Sequence, residues 1–411
     1  MPELKKPLKK LVGKAHDLRE AHRARHRPTG YGFALSDSID YLDAAHWDAL
    51  TAPASVYLGR PYLRALEQAA PENLCGRYAL IYGAGARPLA AVAAQSVRVS
   101  AARVQKKTDS RRTQAVAAPL RRIEERMLVC GNLLSWGQHG VAFARDADRR
   151  ELWPAVAEAL YRLRRADRLS GDTDLVMVKD IPDEEAADAS ALAQFSYRPL
   201  ETDPDMVLEL SPKWQTYADY LASLTSKYRK SARQIEKDVE AAGCRVETFA
   251  GAEDVHAHAA ELHALYLQVH EGARLRLVTL SPAFIPALAS TFGEDFRCTV
   301  IRRDAELLGF VTTLKDNDTA VGYYIGFDRA ANAGAPIYFR LLQAVVDDAI
   351  RLGCRRLSLG RTALEPKARL GARPAPLRVW VRHRIPALNL VVRALLRTAH
   401  HDEAPERNPF K

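Results

Sequence analysis

Residues 296–361 constrain the fold of this chain more than any other stretch. Three apolar, β-branched segments, "FRCTVIRRD" (296–304), "ELLGFVTTLKD" (306–316) and "TAVGYYIGFD" (319–328), are joined by only one or two residues. Connections that short leave adjacent antiparallel strands as the available arrangement. The turn "RAANAGAP" (329–336), the helix-periodic "IYFRLLQAVVDDAIRLG" (337–353) and the strand-like "RRLSLGR" (355–361) follow. The first half has the same order. "RYALIYG" (77–83) and "ARPLAAVAAQSVRVS" (86–100) read as a hairpin and "RMLVCGNLLSW" (126–136) as an extended segment. "DRRELWPAVAEALYRLRRADRL" (148–169) then reads as a helix with Pro154 in its first turn, and "DLVMVKDIP" (174–182) as a strand.

A hairpin before a helix and a strand after it, in both halves, predicts an α+β fold of two tandem units. Each unit is expected to hold a mixed, mostly antiparallel sheet flanked by helices. At 411 residues the chain is long enough for two cores. The expected division is a basic amphipathic arm (1–30), a first unit (31–205), a second unit (206–385) closed by the strand "LRVWVRHR", and an amphipathic helix with a polar tail (386–411).

Charge is placed unevenly. Residues 1–30 hold nine Lys/Arg against three acids, residues 98–126 again nine against three, and residues 371–400 six arginines and no acid. These stretches carry +18, so the remainder of a chain of net charge +10 carries −8. Localised positive charge points to an anionic partner. The basic periodic segment 7–26 and "RIPALNLVVRALLRT" (384–398) have the pattern of helices that lie on an anionic membrane surface. The same segments also suit a solvated arm and a core-docked helix. No apolar run reaches the roughly 20 residues of a membrane span. Five scattered cysteines without a C-x-x-C pair argue against a disulfide framework or a structural zinc site. The expected location is the cytoplasm, with peripheral contact at the inner face of the membrane.

"LTSKYRKSARQIEKDVEAAG" (224–243) reads as a helix, with Thr225 or Ser226 as cap and Gly243 just past its end. At 100° per residue Tyr228, Ala232, Ile235, Val239 and Ala242 share the stripe that must be buried. Lys230, Arg233 and Lys237 share another face, with Arg229 beside them. Such a row is either a solvated face or an anion-binding row. His256, His263 and His270 recur every seven residues, about 10 Å apart along a helix axis, too far for one metal ion. No metal is expected. His270, at the helix end beside Glu271, is a candidate acid–base group.

The second half resembles the GNAT-type acyltransferase domain of FemAB-like bacterial proteins. The stretches that carry the likeness are "LTSKYRKSARQIEKDVEAAG", "ELLGFVTTLKDNDTAVGYYIGFD", "IYFRLLQAVVDDAIRLGCRRLSLGRT" and "LEPKARLGARPAPLRVWVRHR". FemAB-like proteins have two GNAT-like halves, in keeping with the repeat. The resemblance implies transfer of an acyl group from a coenzyme A or carrier thioester, or from an aminoacyl-tRNA, to an amine. It implies Glu365 as base and Tyr324, at the end of the central hairpin, as acid. Lys227, Tyr228, Arg229, Lys230, Arg233, Arg361 and Lys367 would then bind substrate or its anionic groups. In place of the usual pyrophosphate loop, "RAANAGAPIYF" supplies Asn332, Gly334 and Ala335. A long-chain lipid amine at the membrane is one implied acceptor; the alternative is tRNA-dependent aminoacyl transfer to a peptidoglycan precursor.

Overall fold

The computed structural model describes residues 27–100, 124–273, 276–385 and 407–411, with Glu20, residues 388–389 and Pro405. Most of the basic arm 1–30, residues 101–123 of the basic stretch 98–126 and most of the segment 384–398 lie outside the described residues.

Two twisted sheets carry the fold. Among the described residues the first contains β1 (Gly32–Ser36), β2 (Leu74–Tyr82), β3 (Pro88–Ser100), β4 (Glu124–Cys130), β5 (Val141–Phe143), β6 (Leu175–Pro182) and β7 (Arg198–Glu201). The second contains β8 (Asp205–Glu209), β9 (Cys244–Thr248), β10 (Phe296–Arg303), β11 (Glu306–Asp316), β12 (Thr319–Phe327), β13 (Arg356–Ser358) and β14 (Arg373–Ala375). Its order is β14-β8-β13-β12-β11-β10-β9.

The repeat is visible in the pairing. Each sheet has one parallel pair among antiparallel neighbours: β4 with β6, and β12 with β13. In each case the chain between the two strands includes a long helix, Arg149–Ala166 and Ile337–Arg351, as a parallel connection requires. The α+β expectation therefore holds.

One strand is not where the sequence order put it. β15 (Leu377–His383) leaves the second half and inserts between β6 and β7 of the first sheet, pairing with both. The residue pattern was that of a strand; its partners are about 180–200 residues earlier. Pro154 also falls deeper than expected, in the second turn of a helix that Asp148 caps by accepting from the Arg150 and Glu151 amides. The segment that carries the three histidines is broken at His258 into two helices, Ala252–Ala257 and Ala259–His270.

The halves share one core. Tyr57, Tyr62 and Leu66 of the first half pack in the same buried cluster as Tyr266, Phe284, Phe310 and Tyr323 of the second. Polar contacts cross the seam within it. The Tyr62 and Tyr323 hydroxyls lie 2.8 Å apart, and Asp316 accepts from Ser55 Oγ and the Val56 amide at 2.8 and 2.9 Å. No helix among the described residues is long and apolar enough to cross a membrane.

Candidate active site

The candidate site lies where β12 and β13 part. They pair only over Thr319–Val321 and Arg356–Ser358, yet β12 continues to Phe327 while the chain after Ser358 turns to bond β8. The wedge beyond is filled from the first half. Trp136, in the loop 131–140, donates its indole N–H to Ser358 Oγ at 2.5 Å and meets the Tyr323 ring edge-on. At Gly360, with φ +78°, a Cβ would sit 3.2 Å from the Trp136 ring, closer than ordinary contact. A side chain there would be strained twice, by conformation and by contact.

The segment 358–369 has two working sides. Facing inward, Lys367 is 5% exposed and donates its Nζ to the Gly360 carbonyl at 3.0 Å. Burial pushes its pKa down to about 8, with the Asp205 carboxylate pulling the other way. Asp205 accepts from Ser358 Oγ at 2.6 Å and from the Gly360 amide at 2.8 Å, and burial raises its pKa. Arg361 pairs with the fully buried Asp180 of the first half, which also holds Lys179 Nζ and accepts from the Gly137 amide at 3.1 Å. Burial lowers the Arg361 pKa to about 10 and that of Lys179 well below its ordinary value. Asp180 has φ +60°, which bends the end of β6 so that its carboxylate enters the seam.

Facing outward, Glu365, Pro366 and Arg369 wall an open cleft of about 530 Å³. Its other walls are Lys227, Tyr228 and Ile235 of the helix Ser226–Ala241, and Pro336, Phe339 and Leu342 at the start of the helix Ile337–Arg351. Apolar and aromatic side chains share the lining with the cations Lys227, Arg369 and Arg407 and with the carboxylates Glu365 and Asp238. Such a lining suits a ligand with an apolar body and an anionic end.

Several expected site residues meet here and others do not. Lys227, Tyr228 and Glu365 line the cleft. Arg229 folds back, its guanidinium donating to the Leu224 carbonyl at 3.2 Å. Lys230 and Arg233 are exposed and do not line it. Tyr324 is half-buried, its hydroxyl donating to the Leu134 carbonyl at 2.7 Å, and desolvation raises its pKa far above the ordinary phenol value. A phenol so held is a poor proton donor to a substrate. His270 stacks on Tyr266, and its Nε2 lies 3.0 Å from Thr279 Oγ1, away from the cleft lining.

The turn "RAANAGAP" is a short helix, Arg329–Gly334, capped by Asp328. Asn332 Oδ1 accepts from the Tyr338 amide at 2.8 Å, using an N-terminal donor that a phosphate would otherwise take. Gly334 has no positive φ, and a Cβ there would meet nothing within 4 Å. Ala335 is buried beneath it. Asn332 thus takes one amide of this helix start and the Ala335 carbonyl takes that of Ile337, and the cations that line the cleft are those of Lys227, Arg369 and Arg407.

Glu365 is exposed and doubly paired, 3.0 Å from both Arg369 and Arg407. Those guanidiniums, Arg369 foremost, hold its carboxyl below the usual range, which weakens it as a base. We expect Glu365→Gln to raise the KM for a thioester donor severalfold at unchanged kcat, because it frees two guanidiniums from their anchor. Steady-state kinetics decide: a fall in kcat alone would restore Glu365 as the base.

Two sheets of one design, each with a single parallel pair, and a wedge beyond the second pair give the chain a tandem GNAT-like fold. The chain carries a GNAT acetyltransferase domain: residues 226–368 match the family model of that description. Among solved structures it is similar to FemX at 9% identity, over 87% of this chain and 99% of that one, with a TM-score of 0.53. It is also similar to a tandem GNAT protein from the clavulanic acid biosynthesis pathway (14% identity, 87% and 99% covered, TM-score 0.49). A third is the C-terminal domain of a putative lysylphosphatidylglycerol synthetase from Agrobacterium fabrum (12%, 86% and 96%, 0.48). No curated protein matches the chain.

Proposed function

We propose that this protein is an N-acyltransferase that moves an acyl group from a coenzyme A or carrier thioester to an amine, with Lys367 as the group that steadies the reacting carbonyl. The observation that carries this is the double-sided segment 358–369. A buried ammonium of pKa about 8 stands on one side of it, and a cleft lined by apolar side chains, cations and two carboxylates on the other.

In this reading the cleft takes the donor, its anionic end toward Lys227, Arg369 and Arg407 and its apolar part over Tyr228 and Phe339. The amine nitrogen attacks the thioester carbonyl and a tetrahedral oxyanion forms. The Lys367 ammonium supplies the hydrogen bond that such an oxyanion needs. As the C–S bond breaks, the acyl group stays on nitrogen as an amide, and the proton lost by the amine ends on the thiolate. Trp136 closes the wedge, so the acyl end of the donor contacts the loop 131–140 of the first half. The acceptor in this reading is a long-chain lipid amine.

The test is a thermal-shift titration with coenzyme A and its acetyl, octanoyl and palmitoyl thioesters, with deacylated tRNA alongside. Stabilisation that grows with chain length is the expected result. Silence toward every thioester, with a salt-sensitive shift on tRNA, would replace this reading by aminoacyl transfer.

A further inference from the structure

The first half carries a second cavity of about 540 Å³, remote in sequence from the cleft and sharing no lining residue with it. Arg27, Arg162, Arg165 and Arg382 line it together with Leu35 and Phe195. Glu158 is the single carboxylate of the lining, and it already accepts from the Thr29 amide and hydroxyl and pairs with Arg162. Four guanidiniums against one engaged carboxylate leave the cavity strongly cationic. Two of them lie over aromatic rings, Arg162 4.5 Å from the centroid of Phe33 and Arg165 5.9 Å from that of Tyr161.

Two further observations fix the kind of partner. Arg27 belongs to the cationic stretch 1–30 and Arg382 to the acid-free stretch 371–400, so two of the three basic stretches of the sequence reach this one cavity. Leu35, in its lining, is exposed, and so are Ile385, three residues beyond Arg382 along the chain, and Leu388. Asn389, next to Leu388, donates to the Ser196 carbonyl, one residue past Phe195. These are three of the six large apolar side chains exposed among the described residues. Clustered cations suit any polyanion, but exposed aliphatic side chains among them suit the headgroup and acyl boundary of a bilayer.

We infer that this face seats the protein on an anionic lipid surface. Phosphate groups enter among the guanidiniums while Leu35, Ile385 and Leu388 reach the acyl boundary. The inference stands apart from the acyl-transfer reading, since none of these residues belongs to the cleft or the wedge.

Flotation of the full chain with phosphatidylcholine vesicles, with and without phosphatidylglycerol, tests it. The expected result is partition onto the anionic vesicles only, weakened about fivefold for each arginine removed and so roughly twenty-fold in Arg27→Gln/Arg165→Gln. Leu35→Ser should weaken it also, leaving its salt dependence unchanged. The double variant should keep the wild-type thermal response to thioesters, which shows that it is folded and separates failure here from failure of the proposed reaction. Equal partition onto neutral vesicles, or wild-type partition by the double variant, overturns the inference. A double variant that loses binding to RNA and not to vesicles assigns the face to nucleic acid instead.

Discussion

Lys367→Met is expected to cut turnover by about a hundredfold or more, the scale seen when one preorganised donor to an oxyanion is removed. The fall should appear in kcat, since Lys367 does not line the cleft that would hold the anionic end and apolar part of the donor. Folding should survive, because Asp205 retains Ser358 Oγ and the Gly360 amide as partners. In the wild type the rate should decline as pH rises through about 8, where Lys367 gives up its proton. Lys367→Arg keeps a charge that does not titrate there and should lose that limb. Stability has its own signature. The folded-state pKa lies below that of the unfolded chain, so the unfolded state binds more protons from about pH 8 upward, and stability rises with pH through that window. Lys367→Met should flatten this rise. A variant within threefold of wild-type kcat would remove Lys367 from the chemistry.

Asp180→Asn should cost about 3–5 kcal/mol, the usual result of removing one member of a buried ion pair. Asp180 is fully enclosed and faces both Arg361 and Lys179, so its loss strands two cations in the seam. Asparagine accepts the positive φ at this position as readily as aspartate, so this substitution isolates the charge. Asp180→Ala adds backbone strain and should be worse still. Urea unfolding followed by Trp fluorescence gives the comparison. Equal stability of wild type and Asp180→Asn would mean that Lys179 is neutral in the folded protein and that Arg361 is satisfied by other means.

The sequence showed periodicity well and facing poorly. On the helix Ser226–Ala241 the stripe through Tyr228, Ala232 and Val239 is the packed one, and Gly243 does take the left-handed conformation past its end. The wheel could group Lys230 with Arg233 but could not say what lay opposite; it is solvent. The seven-residue spacing of the histidines has a structural origin. His256, His263 and His270 lie within 3.0 Å of Ser290 Oγ, the Leu280 carbonyl and Thr279 Oγ1, so one face ties the helices to the segment 279–290. The resemblance singled out both Glu365 and Lys367, but the short helix Leu364–Arg369 turns Lys367 inward and Glu365 out. Trp136 and Asp180 gave no signal that could be read alone. Their partners, Ser358 and Arg361, are roughly 180–220 residues away, and only the closed seam brings them together.

The position of β15 bears on how the chain comes off the ribosome. β6 and β7 end by residue 201, but the strand that belongs between them is not made until residues 377–383. At about 5–20 residues per second, roughly ten to forty seconds of synthesis separate the two. For that interval the nascent first half exposes two unpaired strand edges facing a gap of one strand's width, an invitation to bind another chain. The N-terminal sheet can thus be completed only once residues 377–383 have been made, and a transcript cut short before residue 377 yields a first half that cannot close.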